Sequence, residues 1–227
     1  MIDIAILYAC AYDMCMTTFY QLHRSVVLAS VDLVDTVRRD QLTLATPCAG
    51  WTLGDLLTHM TVQHRGFAAA ARGSGADLAA WRAEPLAAAV ADDPAGCYAA
   101  AARDVLAAFA TPGVDDAPFA LPEFGADAVF PGEMAMGFHF VDYVVHGWDV
   151  AAALGVAWEP PADAIDAVMP IVMAVPDGDF RAEAGSPFAR AIPSDAGGDL
   201  DRILRHLGRR PDWRPNCETP PPVRSGG

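Results

Sequence analysis

Gly137-Phe138-His139-Phe140-Val141-Asp142-Tyr143-Val144-Val145-His146-Gly147-Trp148-Asp149 lies inside an apolar run from about Pro131 to Leu154. The run predicts a helix. At 100° per residue, His139, Asp142 and His146 then fall within roughly 60° of one another on one face, about one turn apart. Asp142 and His146 are i and i+4, so an oxygen and an imidazole nitrogen can converge on one divalent ion while the helix fixes their separation. A third ligand has to come from elsewhere in the chain. A single histidine on an apolar helix is more often a hydrogen-bonded core residue than a ligand. Asp142 alters that balance, because a carboxylate among Phe138, Phe140, Val141, Val144 and Val145 is costly to bury without a cation or a donor network. A metal centre and a structural ion pair both account for it.

The third ligand is found upstream. Trp51-Thr52-Leu53-Gly54-Asp55 starts a helix with Thr52 as N-cap and Asp55 at N3, the spacing of a capping box, and the apolar pattern runs on to Gly73. His59 sits about two turns in, on the apolar side with Leu56 and its i+4 neighbour Gln63. His64 is turned about 140° away and is expected to face outward. An inward histidine on one helix and an Asp/His pair on another is how a bundle assembles a three-ligand site. Together the three residues favour metal over ion pair.

Around these two helices the chain reads as mainly helical. Thr17 to Arg39 carries Phe19, Leu22, Val26, Val27, Val31, Val34 and Val37 in helical rhythm, and Thr46-Pro47-Cys48-Ala49-Gly50 reads as a loop. A short helix is expected around Leu78 to Val90. Asp93-Pro94 caps a helix that continues through Tyr98 to Ala110. Residues 114–130 read as a loop or short hairpin leading straight into the ligand helix, where it can cover the site. After Gly155, one helix from Pro160 to about Ala174 and another from Gly198 through Leu207 flank a segment, Pro176 to Pro193, expected to be irregular or a short strand.

Composition bounds the function. The chain has 227 residues, of which 53% are apolar and 19% charged, enough for a sizeable core. A formal charge of −14 without a Lys/Arg cluster argues against nucleic acid and anionic membrane surfaces and leaves small molecules as partners. Cys10, Cys15, Cys48, Cys97 and Cys217 are odd in number and contain no CxxC, as expected for reduced cytoplasmic thiols rather than a disulfide framework. The apolar opening, Met1 to Cys10, lacks a basic n-region and is too short to span a membrane. It reads as an extra turn or two of helix or as an upstream start codon.

Three segments together resemble a known family. They are Thr46-Pro47-Cys48-Ala49-Gly50-Trp51-Thr52 with Asp55-Leu56-Leu57-Thr58-His59, then His139 to Asp149, then Asp201-Arg202-Ile203-Leu204-Arg205-His206-Leu207-Gly208-Arg209. The combination resembles the actinobacterial metal-binding branch of the DinB/YfiT-like superfamily, related to mycothiol-dependent maleylpyruvate isomerase, over about residues 20 to 213. The resemblance implies a four-helix up-and-down bundle, placed over residues 1–155 of an all-α (mainly) fold, while the residue pattern beyond it gives a small α/β C-terminal subdomain over 156–215 and the Pro/Ser/Gly-rich composition a disordered tail over 216–227. It also implies a divalent ion, often zinc, with nickel or another metal as the alternative, held by His, a carboxylate and His. On this chain these are His59, Asp142 and His146. The isomerase-like members have Glu where this chain has Asp142, which is one methylene shorter, so their substrate geometry does not transfer.

Three protein ligands leave a tetrahedral ion one open position, as in catalytic sites, and about one net positive charge that favours an anionic fourth ligand. Asp149, one turn beyond His146 and within about 20° of Asp142 on the wheel, is placed to orient a ligand imidazole. His139 is the candidate catalytic residue, as proton shuttle or fourth ligand, with simple packing as the alternative. Cys48 has no matched His and Asp partners in sequence and is expected to pack in its loop. Three functions follow in order. The first is a mycothiol-dependent transferase or isomerase acting on a small molecule, with the low-molecular-weight thiol as partner. The second is a metal-dependent hydrolase, lyase or cyclase, and the third is a non-catalytic metal-binding stress protein. A cytoplasmic monomer or homodimer is expected.

Overall fold

In the computed structural model, residues 4–183, 186–194 and 196–215 are described, residues 4–17 as backbone only. The expected tail at 216–227 lies outside the described residues, as do Cys217 and the side chains of Cys10 and Cys15. The elements are α1 (Ile4–Asp35), α2 (Leu53–Ala71), α3 (Glu84–Asp92), α4 (Pro94–Phe109), β1 (Pro118–Ala120), β2 (Val129–Pro131), α5 (Gly132–Leu154), α6 (Ala162–Met173) and α7 (Asp199–His206).

The helix starts follow local chemistry. Thr52 Oγ1 accepts the amide of Asp55, while the Asp55 carboxylate accepts the Thr52 amide at 2.9 Å, so the capping box forms and sets the rotational phase of α2. Asp93 caps α4 by accepting the Gly96 amide at 3.0 Å, with Pro94 in the first turn where no donor is needed. Gly155, at φ +70°, ends α5 in the left-handed conformation that favours glycine. The expected helix near Leu78 to Val90 divides into a 3₁₀ turn, Leu78–Trp81, and α3.

Helices α1, α4, α2 and α5 pack in that cyclic order, each against the next, forming a mainly helical bundle. Their apolar faces close on a core of Val26, Val34, Leu53, Leu56, Leu57, Met60, Tyr98, Phe140 and Tyr143. Burying such side chains stabilises by roughly 1.5–3 kcal/mol each. The only sheet among the described residues is the antiparallel β1–β2 hairpin, with Phe119 opposite Phe130, and it stands where the sequence allowed one. Its Phe119 and Leu121 join Phe67, Val105, Phe109 and Met136 in a second cluster at one end of the bundle.

Helix α6 lies against α1 and α5, and α7 against α6. Val168, Val172, Ile203, Leu204 and Leu207 extend the bundle core into this C-terminal part. Gly147 permits the close approach: a Cβ there would lie 2.3 Å from the Trp158 ring, whose indole N–H donates to Val144 O at 3.0 Å. The segment between α6 and α7 is irregular and is organised on one buried guanidinium. Arg181, 4% exposed, donates to the carbonyls of Pro176, Val175, Ala189 and His206. The Phe188 ring lies 5.9 Å from Arg181 Cζ and 5.7 Å from Arg209 Cζ.

Candidate metal centre

The capping box that phases α2 brings His59 to the α5 interface, where it meets Asp142 and His146. One ligand atom from each of the three lies within 4.8 Å of the others. His146 Nε2 is 3.2 Å from Asp142 Oδ1, close to the roughly 3.3 Å edge of a tetrahedron with zinc-like bond lengths. The His59 and His146 rings stand nearly perpendicular, with centroids 5.2 Å apart. Asp142 Oδ2 is buried without a hydrogen-bond partner, an arrangement that is costly unless a cation completes it. Burial, the dominant influence, holds the His59 pKa down at about 4, so its imidazole is neutral and has a lone pair to give near neutral pH. The donor set therefore fits a divalent ion. Trp51, 37% exposed, packs 4.9 Å from the His59 ring and flanks the opening.

Behind His146 stands a network that sequence reading assigned only in part. Asp149 is fully buried, and its Oδ2 accepts from His146 Nδ1 at 2.8 Å, Arg209 at 3.1 Å and Cys48 Sγ at 3.2 Å. Burial raises the pKa of Asp149, but the Arg209 guanidinium and the His146 contact outweigh it and hold it at about 2. An ionised Asp149 holds one proton of His146 on Nδ1 and turns Nε2 toward Asp142 and His59. Against burial, the two carboxylates keep the ring protonated when no ion is bound, and loss of the Nε2 proton would expose a lone pair for one. Cys48 differs from expectation: it has His146 and Asp149 as neighbours, because the loop before α2 folds back onto α5. Cys48, His146 and Asp149 also form a compact donor group. The Arg209 guanidinium, 3.1 Å from Asp149 and 3.9 Å from Cys48 Sγ, puts a positive charge against this group that opposes a second cation there.

One histidine departs from the sequence expectation, and a second takes the packed position that was among its alternatives. His64 is fully buried rather than outward-facing, because α2 is covered by α4 and α5 on two sides and by α3 and the Leu78–Trp81 turn elsewhere. His139, also fully buried, bonds His23 Nε2 through Nδ1 at 2.8 Å and His64 Nδ1 through Nε2 at 3.1 Å. Both ring nitrogens are engaged, so His139 does not have the free lone pair of a fourth ligand and does not face the opening. It stacks on Tyr143 with centroids 4.3 Å apart, inside the core. His23 was missed by sequence reading, although it shares the face of Phe19, Val26 and Val27.

No helix among the described residues is long and apolar enough to cross a membrane. The family model of the mycothiol maleylpyruvate isomerase N-terminal domain matches residues 24–151. Two uncharacterized proteins of Mycobacterium tuberculosis, from strains H37Rv and CDC 1551, are each 30% identical over 189 residues, covering 82% of this chain and 95% of theirs. A crystal structure of the mycothiol-dependent maleylpyruvate isomerase superposes with TM-score 0.60 at 12% identity, covering 86% of this chain and 90% of that one, which establishes a shared fold. With that family model matched over residues 24–151, more than half of the chain, the chain belongs to the mycothiol maleylpyruvate isomerase N-terminal domain family.

Proposed function

We propose that this protein is a divalent-metal-dependent enzyme that uses a low-molecular-weight thiol, mycothiol, to transfer or isomerise a small molecule, with His59, Asp142 and His146 holding the ion. The observation that carries the metal assignment is the unpartnered Asp142 Oδ2 beside two imidazoles contributed by different helices. Family membership supports the thiol. Zinc suits two nitrogens and one carboxylate oxygen, and nickel is the alternative. A divalent ion bound there supplies a Lewis acid that makes a thiol or water more acidic.

The chain's own residues do the rest. His59 is kept neutral by burial, Asp149 and Arg209 orient His146, and Asp142 would present its carboxylate from α5 on a short side chain. Asp149→Asn should weaken metal affinity by roughly 10–100-fold while all three ligands stay in place. Competition against a chromophoric chelator measures this, and an unchanged affinity removes Asp149 from the site.

The thiol assignment is tested in cobalt-substituted protein. Mycothiol should add a sulfur-to-metal charge-transfer band, and its affinity should rise about tenfold per pH unit until the free thiol itself ionises, because one proton leaves on binding. With neither a band nor pH-linked binding, direct action of the ion on substrate or water takes the thiol's place.

A further inference from the structure

The turn between the two strands is anchored on both ligand-bearing helices, and each anchor is set one helical turn from a ligand. On α2, Gln63 is His59+4, and its Nε2 donates to Glu123 Oε1 at 2.7 Å. On α5, Phe138 is Asp142−4, and it stacks on Phe124 with ring centroids 5.0 Å apart. Four residues of helix span about 6 Å. The Pro122–Phe124 turn is thus pinned on both helices at one level, beside the cluster. Gln63 is 4% exposed, so its amide is a fixed donor with little freedom to seek water, whereas Glu123 reaches solvent.

We propose that Glu123 is the proton acceptor for the thiol entering this site, with Gln63 as its positioning residue; the inference rests on the thiol-dependent function above. Gln63 occupies Oε1 and leaves Oε2 for the incoming proton. The S–H bond breaks, its proton passes to Glu123 Oε2, and the electron pair remains on sulfur as thiolate. Glu123 then releases the proton to water, so nothing is oxidised or reduced. The groups bearing on its charge are Gln63 from α2 and Asp142 from α5. Burial raises the Glu123 pKa, the Gln63 bond lowers it and the Asp142 charge raises it again, with a net rise. A carboxylate made more basic than usual is better matched to accepting a proton near neutral pH.

The test is stopped-flow binding of mycothiol to the cobalt-substituted full-length protein, wild type against Glu123→Gln, from pH 4.5 to 8, with metal content measured on both. Glu123→Gln should keep its ion and bind thiol roughly 100-fold more slowly, the low end for loss of a general base. Its rate should lack the acid limb expected of wild type, and added acetate should restore part of the lost rate. An unchanged rate and pH profile in Glu123→Gln overturns the proposal while leaving the thiol function standing. Loss of the ion also overturns it, by making Glu123 a ligand. If wild type itself shows no thiol signal, the thiol function fails and the Glu123 role falls with it.

Discussion

His146→Ala should strip the protein of its divalent ion: elemental analysis of the purified variant is expected to find almost none where wild type holds about one per chain. Binding free energies for zinc sites of roughly 10–16 kcal/mol, divided over four positions, make each inner ligand worth about 2.5–4 kcal/mol, or roughly 100- to 1,000-fold in affinity. His59→Ala and Asp142→Ala should lie in that range. His146→Ala should be the most severe, because its ring meets both Asp142 at 3.2 Å and Asp149 at 2.8 Å, and its removal takes one donor from Asp149 as well as the ligand. His64→Ala provides the contrast, since its ring bonds His139 and stacks on Tyr143, and it should lower stability and keep the ion. Full occupancy in His146→Ala would show that the ligand set is wrong.

Acid should unfold the metal-free protein steeply, between about pH 6 and 4.5, well above the range where carboxylates usually fail. His23, His64 and His139 are fully buried, and burial holds their pKa values down: His23 at about 3, the other two well below the ordinary value. The unfolded chain takes up a proton at each near pH 6.5, while the folded chain does not until far lower pH. More protons bound by the unfolded state means that stability falls as pH falls. Each histidine contributes about 1.4 kcal/mol per pH unit in that window, so three together give roughly 4. His59, held near 4, adds in the same direction.

His146 does not offset this. Its pKa is raised well above the ordinary value: burial lowers it, but the Asp142 and Asp149 carboxylates outweigh burial. Its contribution is complete below pH 6.5 and is lost only as pH rises. Asp149, at about 2, begins to matter only below about pH 4. Urea midpoints measured in chelator from pH 7 to 4.5, with proton uptake on unfolding at pH 5.5, check the prediction. About three protons or more are expected, and uptake near zero would mean that the histidine chain is charged or exposed.

The donor set was legible because two of its members lie on one helix at a spacing the α-helix itself enforces, and because the Thr52–Asp55 box fixes which way His59 points. Helical phase also misled. A wheel gives the angle between His59 and His64 but not how many neighbours a helix has, and α2 is covered on nearly every side. The chain of His23, His139 and His64 depends on α5 packing against both α1 and α2, which brings together residues up to 116 positions apart that no local pattern encodes. The same holds for Arg209, which reaches Asp149 across 60 residues, and for Cys48, which reaches it across 101. Glu123 lay in a segment read as leading into the ligand helix, but only its long-range partner Gln63 singles out this side chain.

Arg181 ties the irregular chain at Pro176 and Ala189 to the last turn of α7, and three residues beyond His206 the same backbone delivers Arg209 to Asp149. The matched family segment ends at residue 151, yet the charge that balances its deepest carboxylate arrives from residue 209. A fragment trimmed to the four-helix bundle would inherit a buried anion whose counter-charge was left behind. Transplanting the donor residues into a shorter scaffold therefore requires either supplying a replacement cation or neutralising Asp149, and the C-terminal segment is better regarded as the missing wall of the site than as a separable attachment.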